Sequence, residues 1–189
     1  MTRPWRSWPH LFALLSALWL ADAAMSADVQ SDTLEYAVKA AYLYKFTPFI
    51  DWPASAFATP TSPFYVCTLG GDPFGVSLDR ALAGHQVGDH PIKVKRLQAT
   101  DGAGDCHILY LADNRAHSAE TALSKLRGAP VLTVTDQGLG VSGQIVQFVV
   151  RAGHVRFTID ATAAAANHVS ISAKLLSLAA AANGDGGSS

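Results

Sequence analysis

The sequence predicts an α/β domain in which one layered sheet of about six strands, mixed parallel and antiparallel, is flanked by helices. Two observations support this fold class. Apolar runs of strand length alternate along the chain with helical patterns, which is typical of layered α/β sheets. The last two predicted strands, 144–150 and 154–160, are separated by the short turn Arg-Ala-Gly, so this part of the sheet is predicted to be an antiparallel hairpin.

The composition indicates a single well-buried domain. The chain has 189 residues, of which 49% are hydrophobic and 15% are charged, against a usual charged share of about 25%. This length is enough for one domain with a substantial core. The formal net charge is −1 and no long basic run occurs, so nucleic-acid binding has no electrostatic support.

The N-terminus has the pattern of a secretory signal peptide. Arg3 and Arg6 precede a short apolar run at residues 11–21, and small residues suited to cleavage follow up to Ala23. The run is well short of the ~20 residues that span a bilayer, which argues against a transmembrane anchor. The sequence therefore predicts export to the periplasm. The predicted organisation is a signal peptide over 1–23, an α/β domain over 24–182 and a flexible tail over 183–189.

The first helix is predicted over residues 32–46. Leu34, Val38, Ala41 and Tyr42 recur at steps of three and four, which is the spacing of one helix face. This pattern predicts that these four side chains form the buried face.

A buried strand followed by a glycine-rich turn comes next, with the sequence FYVCTLGGDPFG. Residues 64–69 form a near-continuous apolar run, which suits a strand covered on both faces. The turn cannot act as a phosphate loop, because Val76 follows Gly75 where that loop requires a lysine. The turn is therefore predicted to start a helix that is capped by Asp72 and ended by Gly84.

The remaining elements follow from similar patterns and from capping residues. Asp160 is predicted to cap a helix, and Asn167 to interrupt it, because asparagine tolerates the left-handed conformation at a helix end. The other predicted elements are strands at 92–97, 105–111 and 130–136 and helices at 118–128 and 170–182.

No catalytic or metal-binding pattern emerges from the sequence. The seven histidines are scattered, without the spacing of a metal site. The segment around Ser142 lacks the last glycine of the G-x-S-x-G motif of nucleophilic serines, because Gln144 stands in its place. His107 lies in an apolar strand and is interpreted as a hydrogen-bonded core histidine. The sequence predicts no catalytic residue, no metal and no cofactor.

The two cysteines, Cys67 and Cys106, both lie in the part predicted to be exported. An even number of cysteines in an oxidising compartment favours a disulfide. Their separation of 39 positions is not that of a thioredoxin-type motif. A catalytic thiol is the alternative.

Aromatic residues are concentrated between residues 36 and 57, where seven lie within 22 positions. Two explanations stay open. Core packing accounts for most of these rings, whereas a protein partner or self-association accounts for the rest, because amphipathic aromatics are common at interfaces.

Several motifs in the chain together resemble the YfiR family of periplasmic proteins. The resemblance depends on their order and spacing and on the signal peptide, and it extends from about residue 33 to 180. The motifs are VKAAYLYKFTPFIDWP, CTLGGDPFG, CHILYL, PVLTVTD, HVRFTID and ISAKLLSLA.

The resemblance implies a non-enzymatic periplasmic regulator. It implies that the protein binds and represses the sensing domain of an inner-membrane diguanylate cyclase, that an outer-membrane lipoprotein antagonises it, and that it forms a homodimer. Cyclic di-GMP and biofilm formation would then be kept low. Cys67 and Cys106 match one cysteine pair of the family. A second pair of some members would fall near 144–155, where this chain has no cysteine.

The expected partner-binding surface combines the aromatic segment with the last helix. An alternative function is a periplasmic small-ligand-binding module without a cyclase partner, for which a pocket lined by Arg156, His168 or the aromatics would be evidence. A hydrolase or redox enzyme is disfavoured by the missing motifs. The partner-binding residues assigned at this point are Tyr42, Tyr44, Lys45, Phe49, Trp52 and Lys174.

Overall fold

The computed structural model describes residues 32–112 and 116–184. The chain divides into two compact units, Met1–Glu35 and Tyr36–Ser189. In the first unit only residues 32–35 are described, and they are helical. The second unit contains the sheet, the other helices and the disulfide.

Two predictions on the chain ends fall wholly or largely outside the described residues. The predicted signal peptide, 1–23, lies entirely outside them, and the predicted tail, 183–189, is described only as far as residue 184. Both stay predictions.

The described residues form five α-helices, four 3-10 helices of three residues each and nine strands. The α-helices are α1 (32–45), α2 (Val76–Leu82), α3 (Ala116–Lys125), α4 (Ala161–Ala166) and α5 (Ala173–Gly184). The strands are β1 (Ile50–Asp51), β2 (Phe64–Leu69), β3 (Gln86–Val87), β4 (His90–Leu97), β5 (Ile108–Leu111), β6 (Leu132–Asp136), β7 (Val146–Arg151), β8 (His154–Ile159) and β9 (Ser170–Ile171).

Seven of these strands form one sheet in the order β3-β4-β2-β5-β6-β7-β8. The five strands from β4 to β7 are parallel, whereas β3 and β8 pair antiparallel at the two edges. β1 and β9 form a separate antiparallel ribbon. The mixed sheet and the β7–β8 hairpin are confirmed. The structure adds β1, β3 and β9, which have only two residues each and are too short to show an alternating pattern.

The order of the strands places a switch point between β2 and β5. The chain passes from β2 to β4 on one side of β2, and then crosses to β5 on the other side. The two connections therefore leave a crevice at the carboxyl ends of β2 and β5. Crevices of this kind are where open α/β sheets bind ligands.

Both faces of the main sheet are covered, so the fold has two cores. In β5, Ile108 and Tyr110 belong to the first core, whereas Leu109 and Leu111 belong to the second. Helices α1, α2, α4 and α5 contribute buried residues to the first core, and α3 contributes them to the second. This two-sided burial explains the near-continuous apolar sequences of β2 and β5.

The buried face of α1 differs from the prediction. Leu34 is 67% exposed and Val38 is 38% exposed, whereas Ala40 and Leu43 are fully buried. Lys39, a charged residue, is also on the buried side at 3% exposure. The apolar spacing indicated a helix correctly, but the contacts with the sheet select a different face.

The cap of α2 also differs from the prediction. Asp72 Oδ1 accepts hydrogen bonds from the backbone N–H groups of Phe74 and Gly75, at 3.0 and 3.2 Å, and the helix starts only at Val76. Asp72 therefore caps the turn before the helix. Gly84 has a φ of 74° directly after the helix, which confirms it as the terminating residue.

The junction after α4 is formed by two neighbouring residues. Asp160 caps α4 as predicted, because its side chain accepts from the N–H of Ala163. The left-handed residue at the end is His168, with a φ of 57°, and not Asn167. Asn167 is instead buried and accepts a hydrogen bond from the Gly128 N–H at 3.2 Å.

A disulfide joins Cys67 in β2 to Cys106, which lies shortly before β5. Their Cα atoms are 6.0 Å apart, and both residues are buried in the second core. The predicted pairing is confirmed, and the catalytic-thiol alternative is excluded for the oxidised protein because neither sulfur is free.

We expect reduction of this disulfide to lower the free energy of unfolding by about 4 kcal/mol, because the bond closes a loop of about 40 residues in the unfolded chain. For a chain of this size, the melting temperature should fall by about 10 °C. Thermal unfolding with and without reductant measures the effect. A Cys67→Ala/Cys106→Ala variant should have the same melting temperature as the reduced wild-type protein. Its melting temperature should not change when reductant is added. An unchanged melting temperature on reduction would contradict a stabilising role.

Candidate functional site

A buried ion pair joins α1 to the carboxyl end of β6. Lys39 Nζ lies 2.9 Å from Asp136 Oδ1, and Lys39 is only 3% exposed while Asp136 is 25% exposed. The Lys39 ammonium also lies 4.5 Å from the centre of the Tyr36 ring, within the range of a cation–π contact. A lysine at this depth requires such partners, because an uncompensated buried charge is costly.

Two tyrosines complete the cluster around Asp136. Tyr110 donates its hydroxyl hydrogen to Asp136 Oδ2 at 2.6 Å, and Tyr36 donates to the same oxygen at 3.3 Å. Burial raises the pKa of Tyr110 above its ordinary value of 10, and the negative charge of Asp136 raises it further. Burial and Asp136 also raise the pKa of Tyr36. Both hydroxyls therefore stay protonated and serve as donors.

A cavity of about 240 Å³ lies beside this cluster. It is at the carboxyl ends of β5 and β6 and next to the turn that follows β2, which is the switch point of the sheet. Of the residues named for a pocket from the sequence, Arg156 and His168 do not line it, whereas Tyr36, one of the aromatics, does. Its walls include Tyr36, Pro73, Tyr110, Ala112, Asp136 and Leu139.

Sequence reasoning missed Lys39, Asp136 and Tyr110 as a group. A signal was available, because Lys39 interrupts the apolar run over residues 36–44 of α1 and Asp136 ends an apolar strand. The sequence could not pair them, since Tyr36 and Asp136 are 100 positions apart.

Two of the residues assigned to partner binding point into the protein. The Tyr42 ring packs against Phe46 and Phe157, with ring centroids 5.8 and 5.6 Å away. Trp52 donates its indole N–H to the His107 carbonyl at 3.1 Å. Tyr42 and Trp52 are both half-buried, so each contributes mainly to packing.

Of the other four assigned residues, Lys45 and Lys174 are exposed, whereas Tyr44 and Phe49 are half-buried, like Tyr42 and Trp52. Lys174 in α5 places its Nζ 5.4 Å from the centre of the Phe49 ring, and the β1–β9 ribbon holds these two residues together. The Tyr44 ring stacks on His85 at 4.0 Å. Lys45 is exposed at the end of α1. Phe49 and Lys174, which are distant in the sequence, are therefore brought together by the fold.

A stack of four rings holds the loop between β1 and β2 against the sheet. Phe57 lies between His90 and His107, at 3.8 and 4.6 Å, and His107 stacks in turn on Phe64 at 4.6 Å. His107 Nδ1 accepts a hydrogen bond from the Tyr65 N–H at 3.0 Å, which confirms the prediction of a hydrogen-bonded core histidine. Burial lowers the pKa of His107 to about 4, so this ring is neutral at pH 7.

No metal site and no membrane-spanning helix are found in the part of the chain that the structure describes. Within these residues, no group of three or more histidine, cysteine, aspartate or glutamate side chains is arranged to hold a metal ion. None of the described helices is both long enough and apolar enough to cross a membrane.

Residues 36–180 match the family model described as YfiR/HmsC-like. The match covers most of the chain, so this protein belongs to the YfiR/HmsC-like family. This result confirms the resemblance found in the sequence motifs. Membership suggests a periplasmic regulator of diguanylate cyclases and not an enzyme. No curated protein sequence matches the chain significantly.

We expect Asp136→Asn to lower the free energy of unfolding by about 3 kcal/mol, because it leaves the buried Lys39 ammonium without its carboxylate. Lys39→Met should cost less, since Asp136 can be partly solvated. Urea unfolding of both single variants and the double variant measures the coupling. Asp101→Asn, at an exposed loop position, is the matched control and should change stability by less than about 0.5 kcal/mol. Additive losses in the double variant would contradict a coupled pair.

We expect stability to fall on acidification because of His107. Its pKa is about 4 in the folded protein and 6.5 in the unfolded chain, so between these values the unfolded chain binds a proton that the folded protein does not. The stabilisation is complete above pH 6.5 and is lost as the pH falls toward 4. At pH 5 the loss from this group is about 2 kcal/mol.

Urea unfolding at pH 7.5 and pH 5 tests the His107 prediction. His107→Gln should reduce the difference between the two pH values by about 2 kcal/mol. His154→Gln, which changes an exposed histidine, should leave the difference as it is in the wild type. An equal pH dependence in all three proteins would contradict the assignment to His107.

Proposed function

We propose that this protein is a periplasmic regulator that binds and represses the sensing domain of an inner-membrane diguanylate cyclase. The observation that carries the proposal is the match of residues 36–180 to the YfiR/HmsC-like family. In this proposal, residues 1–23 are a signal peptide that exports the chain. Repression of the cyclase keeps cytoplasmic cyclic di-GMP low and disfavours biofilm formation.

The proposed contact surface consists of Tyr44, Lys45, Phe49 and Lys174. The rings of Tyr44 and Phe49 suit a protein interface, where aromatic residues are enriched. The Lys174 ammonium lies 5.4 Å from the Phe49 ring centre, so these two residues form the centre of the surface. Tyr42 and Trp52 are proposed to support it from within, through their packing against Phe46 and the His107 carbonyl.

Repression requires that the regulator bind the inactive arrangement of the cyclase sensor more tightly than the active one. A hundredfold preference corresponds to about 2.7 kcal/mol, which two or three well-buried contacts can supply. The same linkage implies that anything that removes the regulator releases the cyclase. An outer-membrane lipoprotein that binds the regulator would act in this way. A homodimer would present two copies of the surface.

We expect deletion of the gene to raise cellular cyclic di-GMP, and reintroduction of the wild-type gene to lower it again. Lys174→Glu should fail to restore the low level, because it places a negative charge beside Phe49 and removes the cation. Lys93→Glu makes the same charge change at an exposed position in β4 and should restore it fully. Nucleotide extraction and quantification from matched cultures, with periplasmic protein levels compared by immunoblot, provide the measurement.

Two results of this experiment would contradict the proposal. An unchanged cyclic di-GMP level in the deletion strain under several growth conditions would reject repression of a cyclase. Full restoration by Lys174→Glu would reject the contact surface while leaving the regulatory function in place.

A further inference from the structure

The cavity beside Asp136 is large enough for a six-membered ring with a substituent. Its volume is about 240 Å³, whereas an engineered cavity of about 150 Å³ in another protein binds benzene. The cavity can be reached from solvent, since Asp136 on its wall is 25% exposed. It also lies at the switch point of the sheet, where open α/β folds bind small molecules.

Most of the cavity wall is apolar. Pro73, Ala112 and Leu139 line it together with the rings of Tyr36 and Tyr110. Apolar and aromatic walls with few polar groups are typical of small-molecule sites. These walls therefore favour a ligand with an apolar body.

The polar side-chain atoms on the wall are hydrogen-bond acceptors toward the cavity. Tyr36 and Tyr110 both donate their hydroxyl hydrogens to Asp136 Oδ2. Each hydroxyl has a single hydrogen, so the remaining capacity of both oxygens is acceptor capacity. The Asp136 carboxylate is an acceptor as well. A ligand that uses these atoms must therefore supply an O–H or N–H donor.

The charge at the site is already balanced. Lys39 Nζ lies 2.9 Å from Asp136 Oδ1, which neutralises the carboxylate locally. A cationic ligand would bring a second positive charge close to Lys39, and an anionic ligand would face Asp136. Because a charge that is desolvated without a partner is costly, the site favours an uncharged molecule.

We propose that this cavity binds a small uncharged molecule with an apolar, ring-sized body and one O–H or N–H donor that hydrogen-bonds to the Asp136–tyrosine cluster. This site is separate from the contact surface of Tyr44, Lys45, Phe49 and Lys174. The proposal therefore does not depend on the repression of a cyclase.

The test compares two probes of similar shape that differ in the donor. Phenol carries the required O–H, whereas anisole replaces its hydrogen with a methyl group. Each probe is titrated into the purified, ¹⁵N-labelled protein, and the backbone amide shifts are followed by NMR. We expect phenol to bind at least tenfold more tightly than anisole. The largest shifts with phenol should fall at Tyr36, Ala112, Gly138 and Leu139, which line the cavity.

A pair of matched variants tests the location. Ala112→Leu places a larger side chain at the wall and should weaken phenol binding at least tenfold. Ala165→Leu makes the same change at an exposed position in α4 and should leave the affinity unchanged. If Ala112→Leu does not fold, the wild-type shift map and the ratio of the two probe affinities decide the question.

Three outcomes would overturn the proposal. Equal affinities for phenol and anisole would show an apolar cavity without a donor requirement. Shifts that cluster away from the four cavity residues would show binding elsewhere. No shift with either probe up to about 10 mM would show that the cavity does not bind this class of molecule.

Discussion

The ion pair between Lys39 and Asp136 holds α1 on the sheet, and the cavity and the proposed contact surface depend on that position. A buried ammonium is tolerated only when it is paired, so α1 must place Lys39 over the carboxyl end of β6. The neighbouring turns of the helix then bring Tyr36 to the cavity and Ala40 and Leu43 into the core. The next turn carries the half-buried Tyr44, which stacks on His85, and the exposed Lys45.

The two faces of the sheet have different roles. The second core contains α3 and the disulfide between Cys67 and Cys106. Leu111 and Leu139, which belong to or pack against this core, also line the cavity, but none of the residues of the proposed contact surface belongs to it. The first core lies beneath the cavity and the proposed contact surface. The disulfide restrains β2, whereas the proposed contact residues lie on α1, just before β1 and on α5.

The cavity and the contact surface share α1. A ligand beside Tyr36 would contact the helix that also carries Tyr44 and Lys45, two turns further along. Two sites on one rigid helix can be coupled, because a ligand that stabilises one position of the helix changes the affinity of the other site.

Five features were predictable from the sequence: the fold class, the β7–β8 hairpin, the buried strands β2 and β5, the disulfide and the family. The fold class, the hairpin and the buried strands follow from local periodicity and short turns. The disulfide follows from the even number of cysteines in a chain predicted to be exported, and the family follows from the order of motifs along the chain. The sequence also indicated Tyr44, Lys45, Phe49 and Lys174 as candidate partner-binding residues, but it did not show that the β1–β9 ribbon holds Phe49 beside Lys174.

Which face of α1 is buried depends on the tertiary structure. Leu34 and Val38 have the apolar spacing yet face solvent, because the buried face is set by Asp136, a partner that lies far along the chain and meets Lys39 only after the sheet has formed.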